Sequence, residues 1–124
     1  MNDQRVPKRQ SGAPLPGAGV RGSVTGRPIM ALLDLLGRRW ALRILWELRE
    51  GRPETFRALQ ARMDELSPSI LNTRMKELRA AQLVERAADG YALTPLGARL
   101  LALMLPLDQW AKGWAKALER TTPG

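Results

Sequence analysis

The sequence predicts a mainly helical domain with one small β-hairpin, and three observations carry that prediction. From Ile29 onward, apolar residues recur at helical spacing in five segments. Those segments are separated by helix stops and starts: Gly37, the Gly51 and Pro53 pair, and the Ser67-Pro68 dipeptide. One interval breaks the helical period, "LVERAADGYALT", where short β-prone runs flank Asp89-Gly90, a dipeptide favoured in two-residue hairpin turns.

Each element follows from its own residues. "IMALLDLLG" is a short apolar helix closed by Gly37. In "RRWALRILWELREG", Ala41, Ile44, Leu45 and Leu48 fall at i, i+3, i+4 and i+7, one helix face, before Gly51 and Pro53 stop it. "TFRALQARMDEL" is a third helix with Phe56, Leu59 and Met63 in phase. Ser67 is an N-cap type and Pro68 suits the first helical position; Leu71, Met75 and Leu78 then share a face. After the hairpin, "PLGARLLALMLPLDQWAKGWAKALE" is helical over most of its length, with Pro95 at its start and Pro106 expected to kink or interrupt it. Helix, tight turn, helix and then hairpin is the order of a winged helix-turn-helix.

Residues 1–28 contrast with all of this. They are rich in Gly, Pro, Ser and Arg, lack periodicity, and are expected to form a disordered basic tail. The folding unit is then 29–118, and 119–124 form a short C-terminal tail. Of 20 Lys and Arg against 12 Asp and Glu in 124 residues, the tail holds Arg5, Lys8, Arg9, Arg21 and Arg27 against Asp3 alone, half of the net +8. Such a tail serves either solubility or as an electrostatic arm for DNA, and composition does not separate the two.

A small chain of pI near 11.2 tends to meet polyanions, nucleic acid before acidic membrane. Cysteine and histidine are both absent. Disulfides, thiol chemistry, Cys/His zinc sites and Ser-His or Cys-His nucleophile pairs are excluded with them. No carboxylates cluster at a spacing suited to acid-base work, and no Gly-rich phosphate loop occurs. The expectation is a non-enzyme with no cofactor and no metal. Neither an N-terminal apolar signal run nor an 18-residue apolar span is present, so a cytoplasmic protein with no membrane partner is expected.

The helix of residues 68–81 carries the functional signal. Ser69, Asn72, Thr73 and Lys76 fall at i, i+3, i+4 and i+7, opposite Leu71, Met75 and Leu78, with Arg79 on the flank. In a helix-turn-helix the second helix enters the major groove with its N-terminal residues on the bases. Ser67, Ser69, Asn72 and Thr73 suit base contacts, and Lys76 can reach a base or a phosphate. Any surface helix has a polar face, but a merely solvated one usually interleaves Glu with Lys. Here Glu77 is the only carboxylate between Ser67 and Arg79, and it lies beside the stripe.

Asp34, Gly37 and Trp40 before Ile44-Leu45, then Phe56, Ser67-Pro68, Leu71, Arg74, Leu78 and Leu83-Val84, then Tyr91, Leu93-Thr94 and Gly97 form a combination. From about Arg27 to Leu118 it resembles the HxlR family of bacterial transcriptional regulators, winged helix-turn-helix relatives of the MarR proteins. The resemblance implies a homodimer binding double-stranded operator DNA, usually in response to a small-molecule effector or redox signal. This sequence departs from the family at several positions. Arg27 stands where a sensing cysteine is often found, which removes thiol sensing. The wing shrinks to Asp89-Gly90 with no basic residue at its tip, so minor-groove insertion is not expected, although Arg86 on the strand can touch a phosphate. Gln82 replaces a preferred Gly at the helix end, and Thr55 replaces a common basic residue. Asp64 and Glu65 lie near the DNA face, where they favour the positive start of the next helix.

The remaining residues divide between packing and binding. Arg57 opens the third helix, where phosphate contacts are common; Arg62 has a weaker claim. Arg74 is either a phosphate ligand or a structural ion-pair partner of Glu47 or Asp34. Trp40, Trp46, Trp110 and Trp114 fit core and dimer packing better than a ligand pocket. The last helix is longer and more apolar than one small core needs, so Leu100, Leu103, Met104, Leu107, Trp110 and Trp114 are expected at a two-fold dimer interface. The competing function is a winged helix used for protein interaction without specific DNA binding. It accounts for the apolar last helix but not for the basic stripe.

Overall fold

A computed structural model describes residues 12–121. Pro28–Leu36 forms α1, with proline at its start and Gly37 closing it through a 2.9 Å bond from its N–H to the Leu33 carbonyl. Ala41–Glu47 is α2, entered through Trp40 in a left-handed conformation (φ 76°). The expected face of α2 is the heart of the core: Ala41, Ile44, Leu45 and Leu48 are all buried. Phe56–Arg62 is α3, where Thr55, the departure from the family pattern, is the N-cap, accepting from the Ala58 N–H at 3.0 Å. Pro68–Ala80 is α4, capped by Ser67 through the Ile70 N–H at 3.2 Å. Its Leu71, Met75 and Leu78 are buried against Leu59 and Met63 in one core cluster.

The end of α4 is a Schellman motif. The Leu83 N–H reaches the Leu78 carbonyl at 3.0 Å, and the Gln82 N–H reaches that of Arg79 at 2.9 Å. Between them Gln82 takes φ +62°, the conformation that glycine adopts at no cost. The chain then turns into β1 (Val84–Ala87), antiparallel to β2 (Gly90–Leu93). The register pairs Val84 with Leu93 and Ala87 with Gly90. The turn is therefore Ala88-Asp89, one residue earlier than Asp89-Gly90. Gly90 belongs to the strand because the chain at Glu54 crosses it: paired N–H and carbonyl groups of Glu54 and Tyr91 bond at 2.8 Å, and a Cβ on Gly90 would stand 2.2 Å from the Glu54 oxygen.

Pro95–Thr121 is α5, 27 residues long and packed on α2 and β2. Thr94 caps it, accepting from the Gly97 N–H at 2.9 Å while donating to the Gln82 carbonyl at 2.6 Å. Gly97 admits no side chain, since a Cβ would sit 2.2 Å from the Leu83 oxygen. The helix neither breaks at Pro106 nor ends at 118. Pro106 lies on the exposed side, where its missing N–H removes one bond and the surrounding turns continue.

Residues 12–28 differ from the expected featureless tail. Ala13 and Pro14 are buried, Val20 bridges Ser23, and the Gly17 N–H bonds the Gly26 carbonyl at 3.0 Å. Arg21 anchors the segment on α1, its N–H and guanidinium meeting the Asp34 carboxylate at 3.2 and 3.4 Å. Proline and glycine remove helical periodicity without preventing a packed, hydrogen-bonded loop. Residues 1–11, with Arg5, Lys8 and Arg9, lie outside the described residues, as do 122–124.

Candidate nucleic-acid interface

Helix α4 presents two chemically distinct faces. Leu71, Met75 and Leu78 hold it on the core, and Ser69, Asn72, Thr73, Lys76 and Arg79 are exposed on the outer side, with Ser67 exposed at its start. Glu77 is 3% exposed and lies under two guanidinium groups. Arg38 Nη1 bonds its Oε2 at 2.8 Å, and Arg74 Nη1 its Oε1 at 3.3 Å. The one acid of α4 is thereby withdrawn from the surface and neutralised, and the outward face of the helix carries cations and neutral polar groups only.

Arg74 is a structural residue, but its carboxylate partner is neither Glu47 nor Asp34. It is Glu77, and Arg74 Nε also donates to the Arg39 carbonyl at 2.7 Å. Asp34 is taken by Arg21, while Glu47 is held by Arg43 at 2.8 Å and by Arg62 at 3.8 Å. Arg62 is further tied to Glu54 at 2.8 Å.

The polar stripe is not uniformly free. The Ser67 hydroxyl serves as cap acceptor. The Thr73 hydroxyl donates to the Ser69 carbonyl at 2.9 Å, which uses its proton and leaves it only as an acceptor. Ser69, Asn72, Lys76, Arg79 and Arg57 have no side-chain hydrogen bond or ion pair among the described residues. Arg57 sits in the first turn of α3 and is exposed. On the wing, Arg86 packs 5.6 Å from the Tyr91 ring centroid, its register partner. Arg79 and Arg86 come together on one groove of about 520 Å³ between α4, the hairpin and the start of α5. The wing tip, Ala88-Asp89, carries no cation.

Two contributors are not evident from the sequence. Arg38 fixes α4 from the α1–α2 corner; a lone acid on a basic helix is the available sign that such a partner exists. Ile70, 41% exposed in the first turn of α4, is an apolar group on the flank of the polar stripe, one turn before Thr73. It is out of phase with the core residues, which is the sign that could mark it.

Along α5 the apolar stripe stands open. Leu103, Leu107, Trp110 and Trp114 are exposed, while Leu100 and Met104 are half-buried at the edge of the core. Trp110 and Trp114 stack on one another, with centroids 5.8 Å apart and planes 18° off parallel.

A capped two-helix unit with an outward basic face, followed by a β-hairpin, defines a winged helix-turn-helix of the DNA-binding kind. Comparison with known proteins specifies it further. Residues 35–119 match the model of the HxlR-like helix-turn-helix family, and the chain belongs to that family. It is similar to the uncharacterized HTH-type transcriptional regulator YvaP of Bacillus subtilis (strain 168), with 29% identity over 89 residues, 66% of this chain and 82% of YvaP. It is also similar to the crystal structure of quinone-bound YodB from B. subtilis, with TM-score 0.64 and 32% identity over 68% of this chain and 96% of that one. A possible HxlR family transcriptional factor from Thermoplasma volcanium superposes with TM-score 0.59 and 29% identity, over 68% of this chain and 82% of that one. The protein is thus an HxlR-family, DNA-binding helix-turn-helix transcriptional regulator. Among the described residues, no helix is long and apolar enough to cross a membrane.

Proposed function

We propose that the protein acts as a homodimer on a pseudo-palindromic operator in the cytoplasm, reading it through α4. The carboxylate-free outer face of α4 carries this proposal. Because Glu77 is buried under Arg38 and Arg74, nothing on that face repels phosphate as the helix enters the major groove. Ser67, Ser69, Asn72 and Thr73 supply base contacts, and Lys76 a base or phosphate contact. Arg57, Arg79 and Arg86 grip the backbone. Two copies pair along α5 through Leu100, Leu103, Met104, Leu107, Trp110 and Trp114, and two α4 helices then meet successive major grooves about 34 Å or a multiple apart. Footprinting is expected to protect a dyad-symmetric site; protection of a single half-site would count against the paired arrangement.

Regulation by a small molecule belongs to the same proposal. Its support is kinship with YodB, whose structure holds a quinone. Any such response in this chain proceeds without cysteine, which the sequence lacks. Binding of operator is therefore expected to be indifferent to diamide, and reversible release by that oxidant would contradict a thiol-free response. Enzymatic activity has no part in this function: the relatives are named as transcriptional regulators.

A further inference from the structure

We infer that the groove between α2 and α5 binds an uncharged, flat aromatic molecule, and that Arg43 transmits its occupancy to the helix-turn-helix. This rests on the effector-responsive regulation proposed above and assigns it a site. The groove encloses about 400 Å³, within the range of small-molecule sites. Its lining comes from Leu42, Arg43 and Trp46 of α2 and from Met104, Leu107, Asp108 and Ala111 of α5.

The chemistry of the lining selects the ligand. Both charged members are already committed. Arg43 Nε bonds Glu47 at 2.8 Å and Arg43 Nη2 bonds the Arg62 carbonyl at 2.8 Å, while Asp108 pairs with Lys112 at 3.3 Å. A charged ligand would have to break one of these pairs. What remains is aliphatic, thioether and indole surface, which favours a flat apolar ring.

The groove borders the dimer stripe and shares two of its residues, Met104 and Leu107. At 100° per residue, the two remaining α5 positions that line it, 108 and 111, are turned roughly 80° from the mean direction of the stripe (100, 103, 104, 107, 110, 114). Pairing of two copies along the stripe therefore covers one wall of the groove without having to fill it.

Arg43 joins this groove to the DNA-binding unit. The Arg62 carbonyl it holds is the last of α3, immediately before the turn into α4. That turn is a constrained hinge. Asp64 and Glu65 both take left-handed conformations (φ 59° and 56°), held by bonds from the Glu65 N–H to the Gln60 carbonyl and from Gln60 Nε2 to the Leu66 carbonyl, each 2.9 Å. A ring that packs against the Arg43 side chain, with its bonds to Glu47 and Arg62 kept, therefore bears on the segment that sets the angle between α3 and α4.

The test uses the full chain and N-phenyl-1-naphthylamine, a neutral aromatic probe that fluoresces in apolar surroundings. Saturable binding is expected, together with a change in operator affinity of roughly tenfold, the ordinary size of such couplings. Leu42→Trp and, from the opposite wall, Ala111→Phe should fill the groove and abolish probe binding; circular dichroism and sedimentation show which of them keeps its fold. Arg43→Gln, compared at probe concentrations that saturate it, should lose most of the change in operator affinity. Absent or non-saturable binding, or binding that a folded groove-filling variant retains, would overturn the site. Probe binding in the groove that leaves wild-type operator affinity unchanged would overturn the coupling. If the probe alters operator affinity equally in wild type and in a folded groove-filling variant, effector regulation survives and this location for it falls.

Discussion

Gln82 and Gly97 show how much single positions decide here. Gln82 closes α4 with φ +62°, and a side chain in that region costs about 1 kcal/mol or more relative to glycine. Gln82→Gly is accordingly expected to stabilise the protein by about 0.5–1 kcal/mol in thermal or denaturant unfolding, after the added freedom of the unfolded chain is counted. Unchanged or lowered stability would mean that the Gln82 side chain makes a compensating interaction. Gly97 is the reverse case. Any side chain there meets the Leu83 carbonyl, so Gly97→Ala should cost on the order of 1–3 kcal/mol, as overpacking does. Among the stripe residues, Asn72→Ala should lose about 1–3 kcal/mol on the operator and little on random DNA, since asparagine pairs bidentately with adenine. Lys76→Ala should fall between the two behaviours. Equal losses on both DNAs for Asn72→Ala would remove it from base recognition.

At the scale of elements, the clamp on Glu77 governs how α4 is presented. Arg38 bridges from the α1–α2 corner to α4, and its Nη1 also holds the Gly12 carbonyl at 2.9 Å. Arg38→Met leaves the buried carboxylate with Arg74 alone, and loss of a hydrogen bond to a charged group predicts destabilisation of about 1.5–3 kcal/mol. Glu77→Gln should cost less, because both guanidinium groups are partly exposed and can turn to solvent. Comparing the two by denaturant unfolding separates the buried acid from the pair. If Arg38→Met were neutral, the clamp would have no hold on stability.

The whole molecule adds association and charge. The exposed stripe of α5 is the reason to expect a dimer in sedimentation; a lone 13.8 kDa species at micromolar concentration would argue against it. The two basic regions should also separate by truncation. Removing residues 1–11 takes away Arg5, Lys8 and Arg9, whose contacts with DNA are expected to be to phosphate, which carries no sequence information. Operator and random DNA should weaken together, with the log-log salt slope falling by about 0.9 for each phosphate no longer neutralised. Removing 1–27 should lower stability as well, because Ala13, Pro14 and the Arg21–Asp34 pair go with it. Loss of discrimination on removing 1–11, with Asn72→Ala retaining it, would transfer recognition from α4 to the tail.

Local sequence was enough to set the order of elements, the face of each helix that enters the core, and the Ser67 cap. These depend on periodicity and on short-range hydrogen bonding, which neighbouring residues encode. Ala41, Ile44, Leu45 and Leu48 are legible as a core face for that reason, as are the opposed apolar and polar stripes of α4. Whatever depends on residues far apart in the chain was settled by packing. The hairpin turn falls at Ala88-Asp89 because Glu54, more than thirty positions earlier, crosses Gly90. Residues 12–28 do not behave as a tail because Asp34 and the core offer them partners. Arg74 and Glu77 meet one turn apart, but the burial that makes their pair matter is completed by Arg38 from another helix corner. Charge and periodicity mark α4 as the candidate surface; packing at a distance removes its single acid and leaves the outer face positive.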